Sequence, residues 1–180
     1  IMFLGNMDKA AFLDKDGTLV DNENYPKEIP SDNLLSNEVL DGLKFLQEKK
    51  YKLFILSNQP WIAKKRLTSE KVENIFKSLI KKLKDHGINI TEYKYCPHQS
   101  SDNCDCKKPK TKLALELTKT YNISLQDSIF IGDMDSDIIC GKNLGITSVL
   151  VKTGCGKDYN SNIKPDFIIK NLNEIIKIIK

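Results

Sequence analysis

Short apolar runs alternate along this chain with longer stretches in which apolar residues recur every three or four positions. Runs at residues 9–13, 51–57, 91–95, 128–131, 147–151 and 166–169 are too short for helices and are bounded by polar breaks, which predicts six strands. Over residues 36–50, Val39, Leu40, Leu43, Phe45 and Leu46 keep a helical period, with Ser36 or Asn37 at the start. A longer helix follows the Asn58-Gln59-Pro60 break. It carries Val72, Ile75, Phe76, Leu79, Ile80 and Leu83, and Gly87 stops it. Further helices are predicted over 112–121 and 135–144, the second ending at Gly145, and a last amphipathic helix carries Leu172, Ile175, Ile176 and Ile179. Residues 21–33 are polar, contain Pro26 and Pro30, and read as loop. Strand–helix alternation of this kind implies right-handed crossovers, hence an α/β fold with a doubly wound parallel sheet and flanking helices. The strand order is not readable from the pattern. With 180 residues, the simplest organisation is one domain over 1–180.

Composition narrows the partners. The chain is 40% hydrophobic and 29% charged, and 28 basic against 24 acidic residues leave a net charge of +4. The lysines are spread over many segments, as on a solvated surface, so no nucleic-acid footprint is indicated. A mildly positive field still favours small anionic, phosphorylated metabolites. No apolar run approaches the roughly 20 residues that span a bilayer, so no membrane partner is expected. Residues 1–7 are short, lack a basic lead, and make a poor signal peptide. A cytoplasmic monomer is the expectation.

The first candidate chemistry is Phe12-Leu13-Asp14-Lys15-Asp16-Gly17-Thr18-Leu19, an apolar strand that delivers two carboxylates and then turns at glycine. In a strand, Asp14 and Asp16 point the same way. A bend at Lys15–Asp16 lets one carboxylate attack while the other manages protons. By itself the pattern also fits a strand ending in an Asp-Gly turn. A second cluster, Cys96-Pro97-His98 followed by Cys104-Asp105-Cys106, puts three thiols and one imidazole within eleven residues. Cys₃His is a usual closed set for structural zinc, and in a reducing compartment it reads as metal binding before disulfides. Buried free cysteines or a disulfide are the alternatives. Zinc here would brace a loop at about 96–106 that presents Lys107 and Lys108. His86, Cys140 and Cys155 receive no role, and Trp61 reads as packing near the site mouth.

The motif around Asp14 resembles that of the haloacid dehalogenase (HAD) phosphatase superfamily, and three later stretches match in order. These are Ser57-Asn58-Gln59 after the second strand, Lys108-Pro109, and Gly132-Asp133-Met134-Asp135-Ser136-Asp137. Each alone has a blander reading: a strand-end serine capping a turn, one lysine among many, or aspartates capping a helix. The resemblance implies a Rossmann-like fold without a large cap domain. It also implies an aspartyl-phosphate formed on Asp14, general acid/base catalysis by Asp16, and phosphoryl contacts from Ser57 and Lys108. Magnesium would be held by Asp14, Asp16 through its carbonyl, Asp133 and Asp137, with Asn58 and Lys107 contacting substrate.

The cysteine cluster with Lys-Pro narrows the resemblance to two groups: the D-glycero-D-manno-heptose 1,7-bisphosphate phosphatases and the histidinol-phosphate phosphatase domain. The stretch from Cys104 to Lys110 leans to the histidinol group. Ile62-Ala63-Lys64, the Tyr25…Glu28 loop and Val151-Lys152-Thr153-Gly154 lean to the heptose group. Pro60-Trp61, Met134 and Lys107 depart from the heptose pattern, and Lys107 gives up the bidentate fork of an arginine. A protein of another class, a non-catalytic metal-stabilised binding module, would be expected to lose the acidic pair together with Lys108 and Asp133, which this chain retains.

Overall fold

The computed structural model describes residues 7–22 and 32–180. Pro26, Pro30, the Tyr25…Glu28 loop and residues 1–6 lie outside the described residues. The six predicted runs form β1 (Lys9–Leu13), β2 (Tyr51–Asn58), β3 (Ile90–Cys96), β4 (Ile129–Gly132), β5 (Thr147–Val151) and β6 (Phe167–Ile169). Every pairing between these strands is parallel, in the order β3-β2-β1-β4-β5-β6. The chain steps outward from β1 to β3, crosses to the far side of β1 for β4, and steps outward again. That reversal opens a crevice at the carboxyl ends of β1 and β4, the place where open α/β sheets take ligands.

Strand alternation sends neighbouring residues to opposite faces. Ala11, Leu13, Leu53, Ile55, Ile129 and Ile131 share one core with α1 (Asn37–Glu48) and α2 (Ser69–Asp85). Ala10, Phe12, Phe54, Leu56 and Phe130 share the other with α3 (Lys112–Thr120) and α4 (Asp135–Leu144). On that second face the Phe12 ring stacks 5.6 Å from Phe54 and 6.2 Å from Phe130, centre to centre. Three adjacent strands are thereby tied together directly beneath the crevice.

Two segments differ from expectation. The second helix starts only at Ser69, capped by Thr68, whose Oγ1 accepts from the Lys71 N–H. The residues between Asn58 and Thr68 form turns that keep Gln59 and Pro60 at the sheet edge. The last amphipathic helix is a six-residue 3₁₀ turn, Leu172–Lys177. Its buried residues, Leu172 and Ile175, are three apart, the spacing a 3₁₀ turn aligns on one side, and Ile176 is left exposed. Gly42 of α1 fixes the approach, because a Cβ there would strike the Leu172 carbonyl. Among the described residues, no helix is long and apolar enough to cross a membrane.

Candidate active site

Asp14 is the first residue beyond β1, and its N–H bonds the Ile131 carbonyl of β4 at 2.9 Å. The chain then turns tightly, with the Lys15 carbonyl accepting from Leu19 and Val20 at 2.9 and 3.0 Å. Gly17 sits at φ +91°, where its missing Cβ makes room for the Asp133 carboxylate. Thr153 Oγ1, after β5, donates to the Gly17 carbonyl at 2.7 Å. The ends of β1, β4 and β5 are therefore tied around one point.

At that point lie three buried carboxylates. Asp14 follows β1, Asp133 follows β4, and Asp137 occupies the first turn of α4. One oxygen from each falls within 4.8 Å of the other two. Lys108 Nζ contacts Asp14 Oδ1 at 2.6 Å, Asp137 Oδ1 at 2.7 Å and the Leu56 carbonyl at 2.7 Å. Burial works against the Lys108 charge, but Asp137 and Asp14 outweigh it and push its pKa upward. One ammonium cannot neutralise three carboxylates. Burial first, partly offset by Lys108, raises Asp14 to about 7. Burial and then the Asp14 charge raise Asp133 to about 9.

Asp133 accepts from the Cys155 N–H at Oδ2, while its Oδ1 is buried with no hydrogen-bond partner among the described residues. A set of hard carboxylate oxygens carrying excess negative charge and one orphaned lone pair fits magnesium and not a thiophilic ion.

Both raised carboxyls mean that the folded, metal-free protein binds more protons than the unfolded chain between about pH 4 and pH 9. Their contribution is full below about pH 4 and is lost as pH climbs through about 7 and 9. Asp133→Asn should therefore raise the metal-free melting temperature at pH 8 by a few degrees, about 1 kcal/mol or more. It should also flatten the decline between pH 5 and 9. Thermal melts in chelator across that range check this, and an unchanged decline would count against it.

The other predicted residues surround the same point. Ser57, at the end of β2, is buried, and Lys107 lines the cavity above. Asn58 lines it too, but its amide chiefly braces Lys108. Oδ1 accepts from the Lys108 N–H at 3.0 Å and Nδ2 donates to the Lys108 carbonyl at 3.1 Å. Asp16 is partly open to the cavity. The cavity measures about 180 Å³ and is also lined by Asn22, Pro60, Met134 and Ser136. Trp61 is buried in the core, with Lys64 and Arg66 over its ring.

Three residues given no role by sequence reading also take part. Lys15 pairs with Asp16, Gln59 bridges Asp16 and Ser57, and Thr18 Oγ1 donates to Asp14 Oδ2 at 3.4 Å. The sequence signal available was proximity alone, since each lies within four residues of a motif position.

The cysteine cluster converges as expected. Cys96 Sγ lies 3.5 Å from Cys104 Sγ and 3.2 Å from Cys106 Sγ, and His98 Nδ1 lies 3.6 and 3.3 Å from the sulfurs of Cys96 and Cys106. All are free thiols. Zn–S bonds of about 2.3 Å place tetrahedral sulfurs about 3.8 Å apart, so the four atoms are arranged to close on one ion. Burial pushes the Cys96 thiol far up. For Cys104 burial opposes ionisation, but the N–H groups of Lys107 and Cys106 bring it down to about 7. The loop is tied to the segment that follows β2 by Gln59 N–H to the Cys96 carbonyl at 2.7 Å and Ala63 N–H to the Pro97 carbonyl at 3.2 Å.

The chain is similar to known proteins. A family model described as HAD-hydrolase-like matches residues 105–175. The D-glycero-beta-D-manno-heptose-1,7-bisphosphate 7-phosphatase of Pasteurella multocida is 30% identical over 97% of this chain and 98% of its own length. Its counterpart from Helicobacter pylori J99 is 33% identical over 96% and 97%. Among solved structures, the D,D-heptose 1,7-bisphosphate phosphatase of B. bronchiseptica, complexed with magnesium and phosphate, superposes with a TM-score of 0.85. That match covers 94% of this chain and 97% of the other at 20% identity, a likeness of fold.

Proposed function

Because this chain belongs to the HAD phosphatases, in the group of the D-glycero-D-manno-heptose-1,7-bisphosphate 7-phosphatases, we propose that it hydrolyses a sugar bisphosphate of that kind through a phosphoryl-Asp14 intermediate. The observation that carries this reading is the meeting of Asp14, Asp133, Asp137 and Lys108 at the switch point of the sheet. A phosphate monoester is anionic, so a carboxylate can approach it only where positive charge is stored. Lys108 stores one charge. Magnesium, which Asp14, Asp133, Asp137 and the Asp16 carbonyl would hold, would supply the rest by neutralising charge on the phosphoryl oxygens.

The chain's own groups then divide the work. An Asp14 oxygen attacks phosphorus as the ester P–O bond breaks, and Asp16 gives its proton to the departing alkoxide. In the second half Asp16 takes a proton from water, the water oxygen attacks phosphorus, and the P–O bond to Asp14 breaks to release inorganic phosphate. Ser57 and the Lys108 ammonium orient the phosphoryl oxygens throughout. Zinc on Cys96, His98, Cys104 and Cys106 would brace the loop carrying Lys107 and Lys108, and thiol ligands of this kind suit a reducing cytoplasm. Both metal sets are complete without a residue from a partner, and the protein is read as a monomer.

The cavity, about 180 Å³, is smaller than the roughly 300 Å³ of a drug-sized ligand pocket. It suits a phosphoryl group, leaving the sugar at a mouth formed by Pro60, Lys107, Met134 and Ser136. Lys107, which lines the cavity, would meet a second phosphate there. A panel of heptose 1,7-bisphosphate anomers, other sugar phosphates and histidinol phosphate, assayed with magnesium, tests this. The highest kcat/KM is expected on a heptose bisphosphate. Greater efficiency on histidinol phosphate than on any sugar phosphate would sink the substrate assignment and leave the chemistry standing.

A further inference from the structure

Gln59 follows Asn58 at the end of β2 and is wholly buried. Its Nε2 lies 2.7 Å from Asp16 Oδ2 and 2.8 Å from Ser57 Oγ, while its Oε1 is buried with no hydrogen-bond partner among the described residues. The NH₂ end of the amide therefore faces both the Asp16 carboxyl and the Ser57 hydroxyl, each able to accept from it. Each of its two hydrogens then has a target. An apolar side chain of similar volume would fill this space without stranding a carbonyl oxygen, whose burial is unfavourable. What the amide contributes must lie in the two donations.

We propose that Gln59 is a positioning residue that sets the Asp16 carboxyl and the Ser57 hydroxyl at fixed places relative to each other. The inference rests on the roles given to Asp16 and Ser57 in the phosphatase reading. Lys15 completes the grip on Asp16. Its Nζ lies 2.6 Å from Oδ1, so each carboxylate oxygen is engaged by a different donor. The Lys15 side chain is itself buried, with Nζ 5.6 Å from the centre of the Phe76 ring. Asp16 is thus held from the core side and presents itself to the cavity. At Ser57 the consequence is directional. A hydroxyl has one hydrogen, and with Oγ accepting from Gln59 that hydrogen is left for a phosphoryl oxygen.

A misplaced Asp16 harms substrates unequally. An alkoxide leaving group needs its proton, whereas 4-nitrophenolate departs without one. Because kcat/KM reports the steps up to departure of the leaving group, it isolates this half of the reaction from phosphoenzyme hydrolysis. Gln59→Met should lower kcat/KM by about 10²-fold on an alkyl phosphate and by no more than about tenfold on 4-nitrophenyl phosphate. Gln59→Glu, which keeps the size but replaces the donor, should show the same asymmetry, and Asp16→Asn a larger one. Equal losses on the two substrates, no loss, or failure of both Gln59 variants to fold would overturn the positioning role. If the wild-type protein turned over neither substrate with magnesium, the phosphatase mechanism itself would fall, and the inference with it.

Discussion

Asp14→Asn is expected to abolish turnover, lowering kcat by about 10⁴-fold or more, on the scale seen when a covalent nucleophile is removed from other enzymes. The substitution is isosteric, and Lys108 retains Asp137 and the Leu56 carbonyl as partners, so the fold should persist. Loss of one of three crowded carboxylates should even relieve repulsion in the metal-free protein. Steady-state assays on an alkyl phosphate, paired with thermal melts, check both halves. Excess magnesium should restore nothing, because a missing nucleophile is not a binding defect. Activity above about a hundredth of wild type would remove Asp14 from the covalent role. A melting temperature well below wild type would instead say that Asp14 holds β1 to its neighbours.

The six strands, the parallel sheet and the members of both side-chain clusters were legible in the chain because each rests on a local pattern. Apolar runs mark strands whatever their neighbours, and the carboxylates sit directly behind two of them. What was not legible depends on which elements meet. The β3-β2-β1-β4-β5-β6 order follows from long-range pairing and leaves no periodic trace. The last turn of the chain illustrates the limit in reverse: Leu172, Ile175, Ile176 and Ile179 suit an α-helix, yet packing against Gly42 selects a 3₁₀ turn.

Gln59 was visible only as a motif neighbour, since its value lies in touching Asp16, 43 positions earlier. The Thr153–Cys155 loop is a similar case. Its side-chain and backbone donors reach Gly17 and Asp133, residues no spacing rule connects to it. Lys15 shows the same effect at close range. A lysine between two aspartates reads as solvated charge, yet it is fully buried and pairs with Asp16.

The second large effect concerns the cysteine cluster. Lys108 stands two residues beyond Cys106, and its backbone is braced on one side by Asn58. On the other side the chain runs into the loop closed by Cys96, His98, Cys104 and Cys106. Without an ion, three thiols and an imidazole in contact have only weak hydrogen bonds to hold them. With zinc, binding free energy becomes folding free energy for the loop. Elemental analysis should therefore find about one tightly held zinc per chain. Cys106→Ser should lower the melting temperature by about 10 °C or more. It should also lower kcat by about 10²-fold, the scale expected when a catalytic group is displaced by about 1 Å. Added magnesium should rescue neither, because magnesium avoids thiolates. Stripping the zinc should slow catalysis in step with loss of loop order, followed by hydrogen exchange at residues 96–110, since four protein ligands leave the ion no open position for an activated water. A zinc-free protein of unchanged stability and full activity would remove the metal from this loop and leave Lys108 held by Asn58, Asp14, Asp137 and the Leu56 carbonyl.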